Sequence, residues 1–96
     1  MKESTIEKHL VKRVKALGGE VRKVQWVGRR GAPDRLVMLP GERHFGGLPP
    51  RTVWVELKAT GVKPEPHQLR EHERMRAMGQ RVVVIDSIAG VVGLLA

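Results

Sequence analysis

The chain has no cysteine. That excludes disulfides, thiolate zinc sites and cysteine nucleophiles, and it leaves the redox compartment uninformative. Aromatic residues are only 3% of the total, which argues against base stacking on aromatic platforms as the way this protein binds a partner. No apolar run approaches the length of a membrane span. The start of the chain is polar and charged, without the pattern of a signal peptide, so a soluble, cytoplasmic protein without a membrane partner is expected. No glycine-rich phosphate loop of the NTPase kind and no supported Ser-His-Asp set is present. The four histidines, His9, His44, His67 and His72, have no cysteine beside them, and His67 and His72 are five apart, off a common helix face; zinc is not expected.

What remains is modest in size and strongly basic. Ninety-six residues suit one domain, 1–96, with a small core. Lys and Arg number 18 against 10 acidic residues, a net charge of +8. Such an excess favours polyanions, nucleic acid first, because phosphate contacts release counterions. A merely solvated basic surface would give the same count, so function has to be argued from particular residues.

Hydrophobic spacing sets out the elements. Ser4-Thr5-Ile6-Glu7 has capping-box spacing. Ile6, Leu10, Val14 and Leu17 follow at helical intervals, predicting a helix from about Thr5 to Leu17 that Gly18-Gly19 ends. Strands are predicted over Val21–Val27, Arg35–Leu39, Thr52–Leu57 and Arg81–Ile85. A Gly- and Pro-rich connection runs from Pro40 to Pro50. A second helix is predicted from about Pro66 to Met78, with Leu69, His72, Met75 and Met78 on its apolar face and Gln68 falling within it. Ser87 can cap a short terminal helix in which Ile88, Val91, Val92 and Leu95 share a face.

Two stretches carry the chemistry. Gly31-Ala32-Pro33-Asp34 places a carboxylate at the mouth of one apolar strand. Val53-Trp54-Val55-Glu56-Leu57-Lys58 places another near the end of the next. Antiparallel pairing would bring the start of the first against the end of the second, so Asp34 and Glu56 would meet at one sheet edge with Lys58 on the same face. A carboxylate pair beside a lysine, in a basic protein, is what metal-dependent phosphodiester cleavage requires. Asp34 alone could be a turn residue after proline, and Glu56 alone a surface carboxylate paired with Lys58. Glu56, however, lies within an apolar strand, where an uncompensated charge is costly.

The order helix, three-strand meander, helix, strand, with Asp34 and Glu56-Leu57-Lys58 at these positions, resembles the PD-(D/E)XK nucleases, whose α/β core is restriction-endonuclease-like; here it is followed by a short C-terminal helix. Gly31-x-Pro33-Asp34, Glu56-x-Lys58, Glu7 in the first helix and Gln68 opening the second together resemble the VRR-NUC family, over about Thr5 to Asp86. The likeness is to the small stand-alone members found in bacteriophages, for which the compartment would be the host cytoplasm. It implies Mg²⁺- or Mn²⁺-dependent endonucleolytic cleavage of DNA by a homodimer acting on branched DNA such as Holliday junctions.

On that resemblance Asp34, Glu56 and the backbone carbonyl of Leu57 are the expected metal ligands, and Lys58 orients or activates the attacking water. Glu7 is either a further site residue, reaching the metal directly or through water, or the glutamate of a capping box. Gln68 is either a site residue bonding the lysine, the water or a phosphate, or a buried structural amide. Arg29 and Arg30, in the loop before Asp34, are the expected backbone grips; Lys8, Lys12, Lys23 and Lys63 extend the basic track, with Arg43, Arg70 and Arg74 as further candidates. The apolar terminal segment from Ile88 either forms the dimer surface or completes the core. The competing readings are a basic DNA-binding module without chemistry, and an interaction subunit of a replication or repair complex.

Overall fold

The computed structural model describes residues 1–42 and 44–96; Arg43, placed in the basic track above, lies outside them. Three helices and four strands follow one another as α1 (Glu3–Ala16), β1 (Glu20–Lys23), β2 (Arg35–Leu39), β3 (Arg51–Leu57), α2 (Pro66–Ala77), β4 (Val82–Ile85) and α3 (Ile88–Leu95). They form a single sheet in the order β1-β2-β3-β4. The first three strands are an antiparallel meander, and β4 joins β3 in parallel. The connection between β3 and β4 contains α2, as a parallel crossover needs. This is the α/β core expected from the sequence.

Period-two alternation decides which side chains enter the core. Val37 and Leu39 of β2, and Val53, Val55 and Leu57 of β3, face α1 and pack with Ile6, Leu10 and Val14. α3 lies against α1 on the same side and adds Val91, fully buried, with Leu94 and Leu95 partly buried behind it. The terminal segment therefore completes the core, and Val92 is the large apolar side chain it leaves exposed. Ile88, Leu94 and Leu95 stay partly exposed beside Val92, so apolar surface remains on the segment.

Three local expectations need correction. α1 begins at Glu3 with Lys2 as its N-cap and no side-chain cap bond, so Ser4 and Glu7 form no capping box. The first strand ends at Lys23, and Val24 to Asp34 form a connecting loop. On α2 the buried residues are Glu71, His72 and Met75, whereas Leu69 and Met78 are exposed. His72 and Met75 thus lie inward as expected, joined by an ion-paired glutamate that a hydrophobicity pattern cannot identify.

The loop into β2 is fitted tightly against α2. Gly31 has φ +87°, a left-handed backbone favoured by glycine. A β-carbon there would come within 2.9 Å of the His67 carbonyl oxygen. Gly31→Ala is expected to cost roughly 1–3 kcal/mol, measured by urea unfolding; an unchanged midpoint would show that the loop adapts without strain.

Candidate active site

The register between β2 and β3 pairs Arg35 with Val55 and Leu36 with Trp54. Continued by one residue, it sets Asp34 opposite Glu56. Glu56 alternates with Val55 and Leu57, so it leaves the α1 side of the sheet and points to the side that α2 covers. There its Oε1 lies 3.3 Å from Nε2 of His72, which is fully buried. Lys58, two residues on, shares that face, and its backbone N–H is fixed to the Ile85 carbonyl at 3.0 Å. The structure thus brings Asp34, Glu56 and Lys58 to one corner of the sheet, as the pattern of the two strands implied.

Electrostatics at this corner are unusual. Glu56 is only 8% exposed. Burial pushes its carboxyl up to about 7; Lys58 acts against that rise, and the negative charges of Asp34 and Glu3 add to it. His72 is shifted down, chiefly by burial and then by Arg76, so it stays a neutral imidazole at pH 7. A neutral histidine cannot offset the charge of Glu56, and the site therefore has negative charge that is poorly compensated from within.

Arg35 organises the other side. It pairs with the Asp34 carboxylate at 2.8 Å and donates to Glu7 through Nε at 3.1 Å and through Nη2. Burial works against its charge, but the bonds and the attraction of the two acids outweigh it and hold the guanidinium above its ordinary value. Glu7 accordingly reaches the site through Arg35. Among the described residues no three acidic or imidazole side chains converge closely enough to hold a metal ion by themselves. Sequence reasoning missed Arg35, His72 and Glu3. Arg35 directly follows Asp34 and has the parity of the core-facing residues of β2, and His72 falls on the expected inward face of α2, which were the available signals; nothing comparable marked Glu3.

The remaining expected residues divide clearly. The Gln68 side-chain oxygen accepts from the Glu65 N–H at 2.8 Å, capping α2, and the residue is half-buried. Arg29 does not hang free in its loop: Nε and Nη2 donate to Glu71 at 2.9 and 2.8 Å. Arg74 binds the same carboxylate. These bonds hold the Glu71 carboxyl at about 2, against the cost of burying it. Arg30, Lys8, Lys12, Lys23 and Lys63 are exposed and make no ion pair among the described residues. Lys23 and Asp34 line one open cleft beside β1, together with Val24 and Gln25. Arg70 is likewise exposed.

A protein of Acyrthosiphon pisum secondary endosymbiont phage 1 described as "Putative nuclease p44" is 48% identical over 87 residues, which cover 91% of this chain and 85% of that protein. A solved structure described as a "VRR_NUC domain" superposes with a TM-score of 0.80 at 42% identity, over 99% of this chain and 96% of that one. The chain belongs to the VRR_NUC nuclease family. No family model matches the sequence. The pairwise similarity nonetheless spans nearly all of this VRR_NUC chain, from α1 to the end of the sheet, and so includes the corner that holds Asp34 and Glu56. Among the described residues no helix is long and apolar enough to cross a membrane.

The raised carboxyl of Glu56 has a definite sign. Its folded value exceeds the ordinary 4.5, so its contribution to stability is fully present below pH 4.5 and is lost as pH rises through about 7. Glu56→Gln should therefore raise the Tm of the metal-free protein at pH 8 by several degrees and leave it nearly unchanged at pH 4. The ceiling is on the order of 3 kcal/mol. A variant less stable than the parent at pH 8 would contradict this. Glu71 has the opposite sign: its stabilising effect holds above pH 4.5 and fades as pH falls through about 2. Glu71→Gln should lower Tm by roughly 4–8 °C at pH 7 and by less at pH 3, by differential scanning calorimetry.

Proposed function

We propose that this chain is a divalent-metal-dependent DNA endonuclease whose active site is Asp34, Glu56 and Lys58. The observation that carries the reading is Glu56, a buried carboxylate set opposite a second carboxylate and beside a lysine. Positive charge from outside the fold would hold such a group fully ionised at neutral pH. Mg²⁺ and Mn²⁺ suit the donors. Both take hard oxygen ligands, and Mg²⁺ commonly binds one or two carboxylates while keeping waters and substrate phosphate in its remaining positions. Two carboxylates with the Leu57 carbonyl therefore fit, although among the described residues no third acidic or imidazole side chain joins them in a metal-sized cluster.

When bound, such an ion supplies Lewis acidity toward the scissile phosphate and lowers the pKa of a coordinated water. The chain's own groups do the rest. Lys58 stands where it can orient the attacking water and offset charge developing on the phosphate. His72, packed against the second side of the Glu56 carboxylate, fixes its direction. Arg35 aims Asp34, and Glu7 holds Arg35 in turn. Gln68, at the mouth of α2, can offer its amide N–H groups to a phosphate while its oxygen stays on the helix cap. Among the cations expected to bind the DNA backbone, Lys23 lines a cleft with Asp34; Arg30, Lys8, Lys12 and Lys63 are exposed and extend the basic surface.

The family likeness extends this to branched DNA, including four-way junctions, cut by a homodimer whose two sites are related by a twofold axis. The net charge of +8 supports a nucleic-acid substrate.

Asp34→Ala and Glu56→Ala should each lower cutting by about 100-fold or more while changing DNA affinity only a few-fold, because binding rests on the basic residues. The measurement is a cleavage panel of single-stranded, duplex, flap and four-way-junction DNA in Mg²⁺ and Mn²⁺, with gel-shift affinities alongside. Cutting by both variants at the parent rate would refute the assignment. Salt-sensitive binding without products in either ion would leave only a binding module.

A further inference from the structure

On the face of the sheet that carries Glu56, the protein has a cavity of about 540 Å³, within the size range of small-molecule sites. Its walls are Trp26, Trp54, Met75 and Met78, and its rim holds Arg29 and Arg74. The two indoles pack with centroids 5.1 Å apart, tilted by 47°. Their polar edges are already engaged: Trp26 Nε1 donates to the Pro33 carbonyl at 2.8 Å, and Trp54 Nε1 to Gln80 Oε1 at 3.0 Å. What remains open is apolar ring surface, and Trp26 is 36% and Met78 70% exposed. At the rim two guanidiniums share the single carboxylate of Glu71, which leaves an excess of positive charge.

We propose that this cavity binds one unpaired base of the DNA strand being cut, stacked against the tryptophans, with Arg29 and Arg74 facing the phosphates on either side of it. The inference rests on the nuclease reading above and specifies what that site selects. Trp54 precedes Glu56 by two residues on the same face, about 7 Å along the strand, and Trp26 is bonded to the residue before Asp34. A nucleotide beside the scissile phosphate is therefore within reach of the pocket. A base held in a duplex must first be unstacked to enter, at a cost of a few kcal/mol, whereas a base at a flap or junction is already free. The pocket thus favours cleavage next to unpaired positions. It also qualifies the expectation from the 3% aromatic content, since both tryptophans of the chain lie in this one place.

That placement supplies the test, because the protein's tryptophan fluorescence reports on the cavity alone. The wild-type protein is titrated in EDTA, where nothing is cut, with octathymidylate, with an abasic octamer of equal charge, and with a blunt duplex of eight pairs. Octathymidylate should quench the fluorescence and bind roughly 5- to 100-fold tighter than the abasic octamer; the abasic strand and the duplex should bind without comparable quenching. Equal quenching and affinity for the abasic strand would overturn the proposal, since phosphates alone would then account for binding. Fluorescence that changes with protein concentration in the absence of DNA, and is then insensitive to octathymidylate, would also overturn it, by showing a second copy of the chain in the cavity. Cutting of a flap substrate in Mg²⁺ or Mn²⁺ is scored separately. Cutting without base-dependent quenching rejects the pocket and keeps the nuclease; base-dependent quenching without cutting does the reverse.

Discussion

The antiparallel register of β2 against β3 is the constraint on which the candidate site depends. Side chains alternate strictly across a strand, so a slip of one residue would send Val53, Val55 and Leu57 out of the core and turn Glu56 into it. The hydrophobic pattern that builds the core therefore also fixes the direction of the acid. Core formation and placement of the carboxylate are one event, and the same five valines and leucines on the two strands enforce both. β4 reinforces this by pairing with β3 on its other side.

The site departs from the rules that govern the rest of the chain. Two other buried charged groups are well paired: Glu71 is gripped by two arginines, and Arg35 by two acids. Glu56 faces a lysine that is not bonded to it and a histidine that stays neutral. The fold thus pairs its other buried charges and leaves this one short of a counter-charge. The locked Arg29 shows the opposite use of charge. Its loop looks free in the sequence, yet it is tied across 42 residues to α2, and this tie holds the approach to Asp34 in shape.

Most of the architecture could be read from periodicity. β2 and α3 fall where apolar spacing and the Ser87 cap put them, and α2 starts at Pro66 as expected. Asp34, Glu56 and Lys58 were legible because each interrupts or ends an apolar strand, and a charge there demands an explanation. The misses share a cause. Glu7 and Arg29 have partners 28 and 42 residues away, and His72 meets Glu56 only once α2 has folded over the sheet. Local patterns specify what a segment becomes, not which distant side chain will satisfy it. Ser4 and Glu7 have the right spacing for a cap, but a long-range arginine takes the glutamate. The aromatic content was similarly silent on arrangement, because a low total says nothing about two indoles being packed together.

The two acids are held differently. Glu56 projects from near the end of an inner strand, paired with β2 on one side and β4 on the other. Asp34 projects from the last residue of a long connection, whose ties are one backbone bond from Val24, the Trp26 bond to Pro33 and the Arg29 bonds to α2. The two carboxylates therefore stand on supports of different kinds, a paired strand on one side and the end of a loop on the other.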